Sequence, residues 1–152
     1  MILPLGLALT LASGIAPAAS RWATEQERHI LKKGQPLAGE ALAFANDLAI
    51  TRPEEIRVLE VKSVPLPAPR PLVKLAARWG LPVFEPAGMA LGRGIYLLNS
   101  NSRLLRHELV HVAQYQRLGG IEPFLRRYLT ECLIHGYLGS PLEAEARAKE
   151  IE

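Results

Sequence analysis

Cysteine is almost missing from this chain. Cys132 stands alone, which excludes an intramolecular disulfide framework and leaves stability to a packed core. A lone cysteine on an apolar helix face behaves as a small hydrophobe, and that is the place its neighbours predict. Aromatic residues are scarce at 6% and dispersed, so no platform for stacking bases is expected. Strong charge of one sign is missing too. The net charge is only +3, with arginines scattered among acids and apolar residues, which argues against a nucleic-acid partner. Internal repeats are absent. What is present is a hydrophobic fraction of 49% in 152 residues, enough for one domain with a real core.

Residues 1–20 carry no charged side chain. The run from Ile2 to Ala12 is apolar and small residues come after it, with Ala16-Pro17-Ala18 resembling a cleavage site. The segment therefore reads as an export signal, a tether giving membrane association, or a local or interfacial helix. No Lys or Arg precedes the run, whereas Arg21, Arg28, Lys32 and Lys33 lie after it, an asymmetry that favours keeping the downstream domain in the cytoplasm. Pro4, Gly6 and Gly14 make it a poor full-length membrane span. The expected location is thus exported or membrane-tethered if residues 1–20 act as a signal, and cytoplasmic otherwise. Residues 21–152 are expected to form a single domain.

Within that domain, helices are expected from Arg21 to Lys33, stopped by Gly34, and from about Leu37 to Leu48. Residues 56–61 alternate apolar and polar side chains and predict a strand. Residues 64–71 hold four prolines and read as an extended, stiff connector. Helical spacing returns from Leu72 to Trp79 and should stop at Gly80. Residues 87–91 and 95–98 flank Gly92-Arg93-Gly94, which predicts a β-hairpin. Asn99 to Ser102 offers N-caps for a helix starting near Arg103 and ending at Gly119-Gly120. A helix from about Glu122 to Tyr137 shows a clean apolar stripe. Ser140 and Pro141 then open a last helix as N-cap and first helical residue.

The chemistry is concentrated in Arg106-His107-Glu108-Leu109-Val110-His111-Val112-Ala113-Gln114. Residues four apart share one face of a helix, so His107 and His111 can reach a single ion. Glu108 lies beside them, able to act on a metal-bound water without ligating the metal, and Gln114 shares their face. Two imidazoles and one carboxylate in the order H-E-x-x-H are what a zinc hydrolase uses. A catalytic zinc takes three protein ligands, and the third must come from elsewhere. No H-E-x-x-H-x-x-G-x-x-H extension is present. The downstream candidates are His135, Glu122, Glu131, Glu143 and Glu145, with a carboxylate the better choice.

The run from His107 to Gln114 resembles the H-E-L-x-H-V-x-Q signature of bacterial zincin-like metallopeptidases, and the likeness extends over roughly Ile95 to Arg147. In such proteins a downstream E-x-x-A segment supplies the third ligand. Pro141-Leu142-Glu143-Ala144-Glu145-Ala146 matches it, so the resemblance implies His107, His111 and Glu143 as ligands of Zn2+. Arg147 departs from it, standing where an acidic residue often comes after that alanine. Glu143 has a second reading as the last residue of an S-x-x-E capping box on Ser140, which leaves Glu145 as the alternative ligand. The fold implied is α+β, a minimal zincin-like domain that is mostly helical, with a small antiparallel sheet or hairpin beside the H-E-x-x-H helix. The function implied is a zinc metallopeptidase acting on a protein or peptide substrate, with Glu108 as catalytic general base. Tyr128, Tyr137 and His135 are oxyanion donors by type, and the strand 95–98 is a candidate edge for pairing with an extended peptide. The alternative function is a non-catalytic zinc-binding or interaction module on the same scaffold.

Overall fold

A computed structural model describes residues 3–67, 70–78 and 86–151. Helix α1 spans Leu5–Lys33, α2 Gly39–Asp47, α3 Arg70–Ala77, α4 Ser102–Leu118, α5 Ile121–His135 and α6 Pro141–Lys149. The strands are β1 (Gln35–Pro36), β2 (Arg57–Glu60), β3 (Gly88–Leu91) and β4 (Gly94–Leu97). Helices thus surround one small sheet, an α+β arrangement. The expected stop at Gly80 and the Ala68-Pro69 part of the proline connector lie outside the described residues, as do Met1 and Ile2.

The composition changes at residue 20, but the helix does not. α1 runs unbroken through that point, with Pro17 inside it. Its buried residues are Ala8, Ala12, Ala16, Ala23 and Ile30, spaced by four or seven, so they form one stripe. Small side chains along that stripe let α1 lie close on α5. Ala8 and Ala12 pack with Leu133 and Leu129, whereas Trp22 and Ala23 share a cluster with Ile121 and Leu125. The two helices therefore run antiparallel. Cys132, on the same helix α5, is fully buried, as its neighbours predict. No helix among the described residues is long and apolar enough to cross a membrane.

The sheet has the order β1-β2-β4-β3. β3 and β4 form the expected antiparallel hairpin, turning at Gly92 with a φ of +65° that favours glycine. β2, however, pairs with β4 in parallel, so the sheet is mixed rather than antiparallel. The reason is the connection. Parallel neighbours need a long crossover, and the connector with α3 lies between β2 and the hairpin. A consequence concerns peptide pairing: β4 is an interior strand with both edges used, so the segment 95–98 cannot receive a peptide, and β3 is the edge next to it.

Alternation along β4 sends its side chains to two layers. Ile95 and Leu97 join Leu109, Val112 and Tyr115 of α4 in the main core. Tyr96 faces the other way, among Ala23 and Ile30 of α1. The sheet is thus held between α1 and α4. Burying a Leu109 or an Ile95 there contributes on the order of 1.5–3 kcal/mol each. This fixes α4, which carries the H-E-x-x-H residues, against β3.

Candidate metal centre

α4 begins where Asn101 accepts hydrogen bonds from the amides of Arg103 and Leu104 at 2.9 and 3.1 Å, an N-cap that sets the helical phase. From that phase His107 and His111 project on one face, toward α6. Glu143, on the first turn of α6, is buried and lies between them. His107 Nε2 is 3.1 Å from Glu143 Oε2, His111 Nε2 is 3.2 Å from Glu143 Oε1, and the two Nε2 atoms are 3.2 Å apart. These three residues form a group able to hold a metal ion.

The partners on the far side of each ring decide what those nitrogens present. Gln114 donates from Nε2 to the carbonyl of Leu142 at 2.9 Å and to Glu145 at 3.0 Å, so its Oε1 is turned to His111 Nδ1 at 2.7 Å. A carbonyl oxygen only accepts, and His111 therefore carries its proton on Nδ1. His107 Nδ1 lies 2.6 Å from the carboxylate of Glu150, which likewise draws the proton to Nδ1. Both Nε2 lone pairs are thus aimed, with the Glu143 carboxylate, at one point. Three electron-pair donors converging without a proton between them need a cation.

In the metal-free chain that cation is the proton. Burial works against the imidazolium of His107, but Glu143, Glu108 and Glu150 outweigh it and raise its pKa to about 9. His111 is raised for similar reasons, against a burial cost, by Glu143 and Glu108. Burial alone would raise the Glu143 pKa; hydrogen bonds from both histidines and Tyr128 hold it well below the carboxylate range instead.

Glu108 points away from α6 toward the hairpin. It is buried, which pushes its pKa up, partly opposed by the charge of His111 and His107 and by a hydrogen bond from the Ala90 amide. Gly88 makes room for it: a Cβ at Gly88 would stand 3.0 Å from Glu108 Oε1. Tyr115 donates to the Ala90 carbonyl at 3.0 Å and fixes the same strand.

The other candidates separate clearly. Glu145 is turned outward, gripped by Arg117 through two bonds of 3.0 and 2.9 Å and by Lys149 at 3.2 Å. Its pKa falls to about 2, first through Arg117. The Ser140 amide, which a capping box would give to Glu143, donates to the Tyr137 carbonyl at 3.2 Å, and Glu131 accepts from the Ser140 hydroxyl and the Leu142 amide, both at 3.1 Å. Glu143 is thereby left to the histidines. Glu122 pairs with Arg126 on the surface and His135 is exposed. Tyr128 donates to Glu143 at 2.7 Å and Tyr137 also bonds to it, so both phenols stand at the centre. Arg147, where the resemblance has an acid, donates to the Leu138 carbonyl at 2.6 Å and ties down the α5–α6 turn.

Sequence reasoning missed Glu150, which Arg103 also holds at 2.8 Å. A signal was there. Glu150 lies seven residues after Glu143, two turns on the same face of one helix.

The group opens into a cavity of about 880 Å³ bounded by α1, the connector, α3, β3, α4, α5 and α6. No protein-family model, curated protein or solved structure matches the chain.

Proposed function

We propose that this chain is a zinc-dependent metallopeptidase, with His107, His111 and Glu143 as ligands and Glu108 as general base. The observation that carries the reading is the convergence of two Nε2 lone pairs and one carboxylate on a single point. The donor set fits the ion. A tetrahedral zinc with bonds of about 2.0–2.1 Å separates its ligand atoms by roughly 3.3 Å; the two Nε2 atoms here are 3.2 Å apart, and one atom from each of the three residues lies within 4.8 Å of the others. Two nitrogens and one oxygen leave a fourth position for water, the composition of a catalytic rather than a structural site.

Zinc bound there would lower the pKa of its water toward neutrality and polarise a carbonyl. The remaining work falls to this chain's own groups. Glu108, held by the Ala90 amide and given space by Gly88, is the carboxylate placed to take the water proton and pass it to the leaving amine. Gln114 and Glu150 hold the two imidazoles in the tautomer that leaves Nε2 free. Tyr128 and Tyr137 are bonded to Glu143 and hold that carboxylate in place; either would serve a developing oxyanion only by releasing it.

The test is Glu108→Gln in the zinc-loaded chain with an unfolded protein substrate. Zinc content should stay at the wild-type value while hydrolysis falls by about 10²–10⁴-fold, the usual contribution of a general base. Undiminished hydrolysis would remove Glu108 from the mechanism. A wild type that binds zinc but hydrolyses nothing would favour the binding-module reading.

A further inference from the structure

We infer that the substrate is a peptide with large apolar residues next to the scissile bond, seated in the cavity that opens from the metal centre; this rests on the peptidase reading above. The cavity measures about 880 Å³, within the usual range of ligand sites and larger than one side chain needs. Its lining is of two kinds. The polar side chains come from α4, α5, α6 and the loops beside them. Among the described residues, those contributed by α1, the connector, α3 and β3 are all uncharged and apolar in character. Ile15, Trp22, Leu72 and Met89 from those elements meet Leu125 and Leu129 of α5. Ala18 and Ala19 line the same wall, and their small side chains leave the space open.

A charged or hydrogen-bonding side chain placed against that wall would lose its water and find no partner. A leucine or phenylalanine would lose only apolar hydration, which favours binding. Ile15 is 39% and Leu72 58% exposed while both also line the cavity, so its apolar surface continues out to solvent at a rim. An apolar residue can enter there without crossing a polar barrier.

The edge of β3 favours a peptide over a free acyl chain as the occupant. Ala87 accepts from the Leu98 amide at 2.9 Å, so by alternation Gly88 and Ala90 turn their main-chain groups away from β4. Ala90 is already engaged by Glu108 and Tyr115. Gly88 presents its amide and carbonyl beside the Glu108 carboxylate, at the border of the cavity. Main-chain groups there give a peptide its direction, and the apolar wall selects its side chains.

The experiment uses the full zinc-loaded chain with the double substitution Glu108→Gln and Trp79→Phe, which leaves Trp22 as the sole tryptophan. Blocked pentapeptides with Leu or Phe at two central positions are titrated against the same peptides carrying Ser or Asp there. Apolar peptides should bind at least about 10-fold more tightly, in line with the discrimination of apolar pockets, and shift Trp22 emission to shorter wavelength. Ala19→Leu, which fills the cavity, should erase that preference with zinc content unchanged; Ala18→Leu serves if the first variant is misfolded by circular dichroism. Equal binding of Ser, Asp and apolar peptides, or binding of none, would overturn the inference. Cleavage of all these peptides alike by the wild type would overturn it while leaving the peptidase reading intact, and cleavage of none with preferential apolar binding would overturn the peptidase reading and leave only an apolar peptide-binding site.

Discussion

Two helix pairs enclose the cavity, and they are joined by opposite chemistry. Between α4 and α6 the contacts around the candidate centre are polar: Arg103 to Glu150, His107 to Glu150 and Glu143, His111 to Glu143, Gln114 to the Leu142 carbonyl, while the Leu142 side chain packs into the core beside them. Between α1 and α5 the buried faces are alanine and leucine, with Ala8 and Ala12 against Leu129 and Leu133. The polar seam works as a unit, because each buried group has its partner only while the others stay in place. The apolar seam answers to volume alone. A change in the first should therefore be read out in metal binding, and a change in the second in folding stability.

The largest effect should separate two carboxylates of one helix. Glu143→Ala should reduce bound zinc from about one per chain to near none, since three protein ligands are needed. Glu145→Ala should leave zinc content unchanged, because that carboxylate is held by Arg117 and Lys149 on the outside and Gln114, which loses its bond to it, keeps the one to the Leu142 carbonyl. Metal analysis of both purified variants checks this, and zinc retention in Glu143→Ala would break the assignment. A smaller loss is expected one layer out. Glu150→Gln keeps an acceptor at His107 Nδ1 but removes its charge, and zinc affinity should fall by about 10–100-fold, as for other partners of metal-bound histidines. Competition with a chelating indicator measures it.

The smallest effect on zinc belongs to the other seam. Ala12→Leu adds volume where Ala12 is fully buried against α5. It should cost about 1–3 kcal/mol of stability, seen as a lower urea midpoint at constant slope, with zinc affinity unchanged. A matching loss of zinc affinity would show that the two seams are coupled and would spoil the contrast.

The same contrast explains which features the sequence makes legible. His107, Glu108 and His111 are legible because helical geometry alone brings i and i+4 together. Glu143 is legible through the E-x-x-A match, but its freedom to face the histidines depends on Glu131 capping α6, a contact across nine residues from Ser140 that no local pattern reveals. Glu150 offers only its two-turn spacing from Glu143. The hairpin shows in its glycine turn, whereas the parallel pairing of β2 with β4 is set by a crossover whose path lies in tertiary packing. In α1 the change of composition at residue 20 masks a stripe of alanines that continues through it. Small residues carry a burial pattern too weakly for hydropathy to register.

In the proposed site His107, His111 and Glu143 share one cation position, which a proton occupies until a metal displaces it. Calorimetric titration of zinc into the metal-free chain, in buffers of different ionisation enthalpy, tests it most directly. With His107 raised to about 9 by Glu143, Glu108 and Glu150 against its burial, that imidazole holds a proton at neutral pH and must lose it to bind metal. About one zinc should bind per chain, with a proton released at pH 7 and progressively less release as the pH rises through about 9. Zinc uptake with no proton release, or no uptake at all, would contradict it.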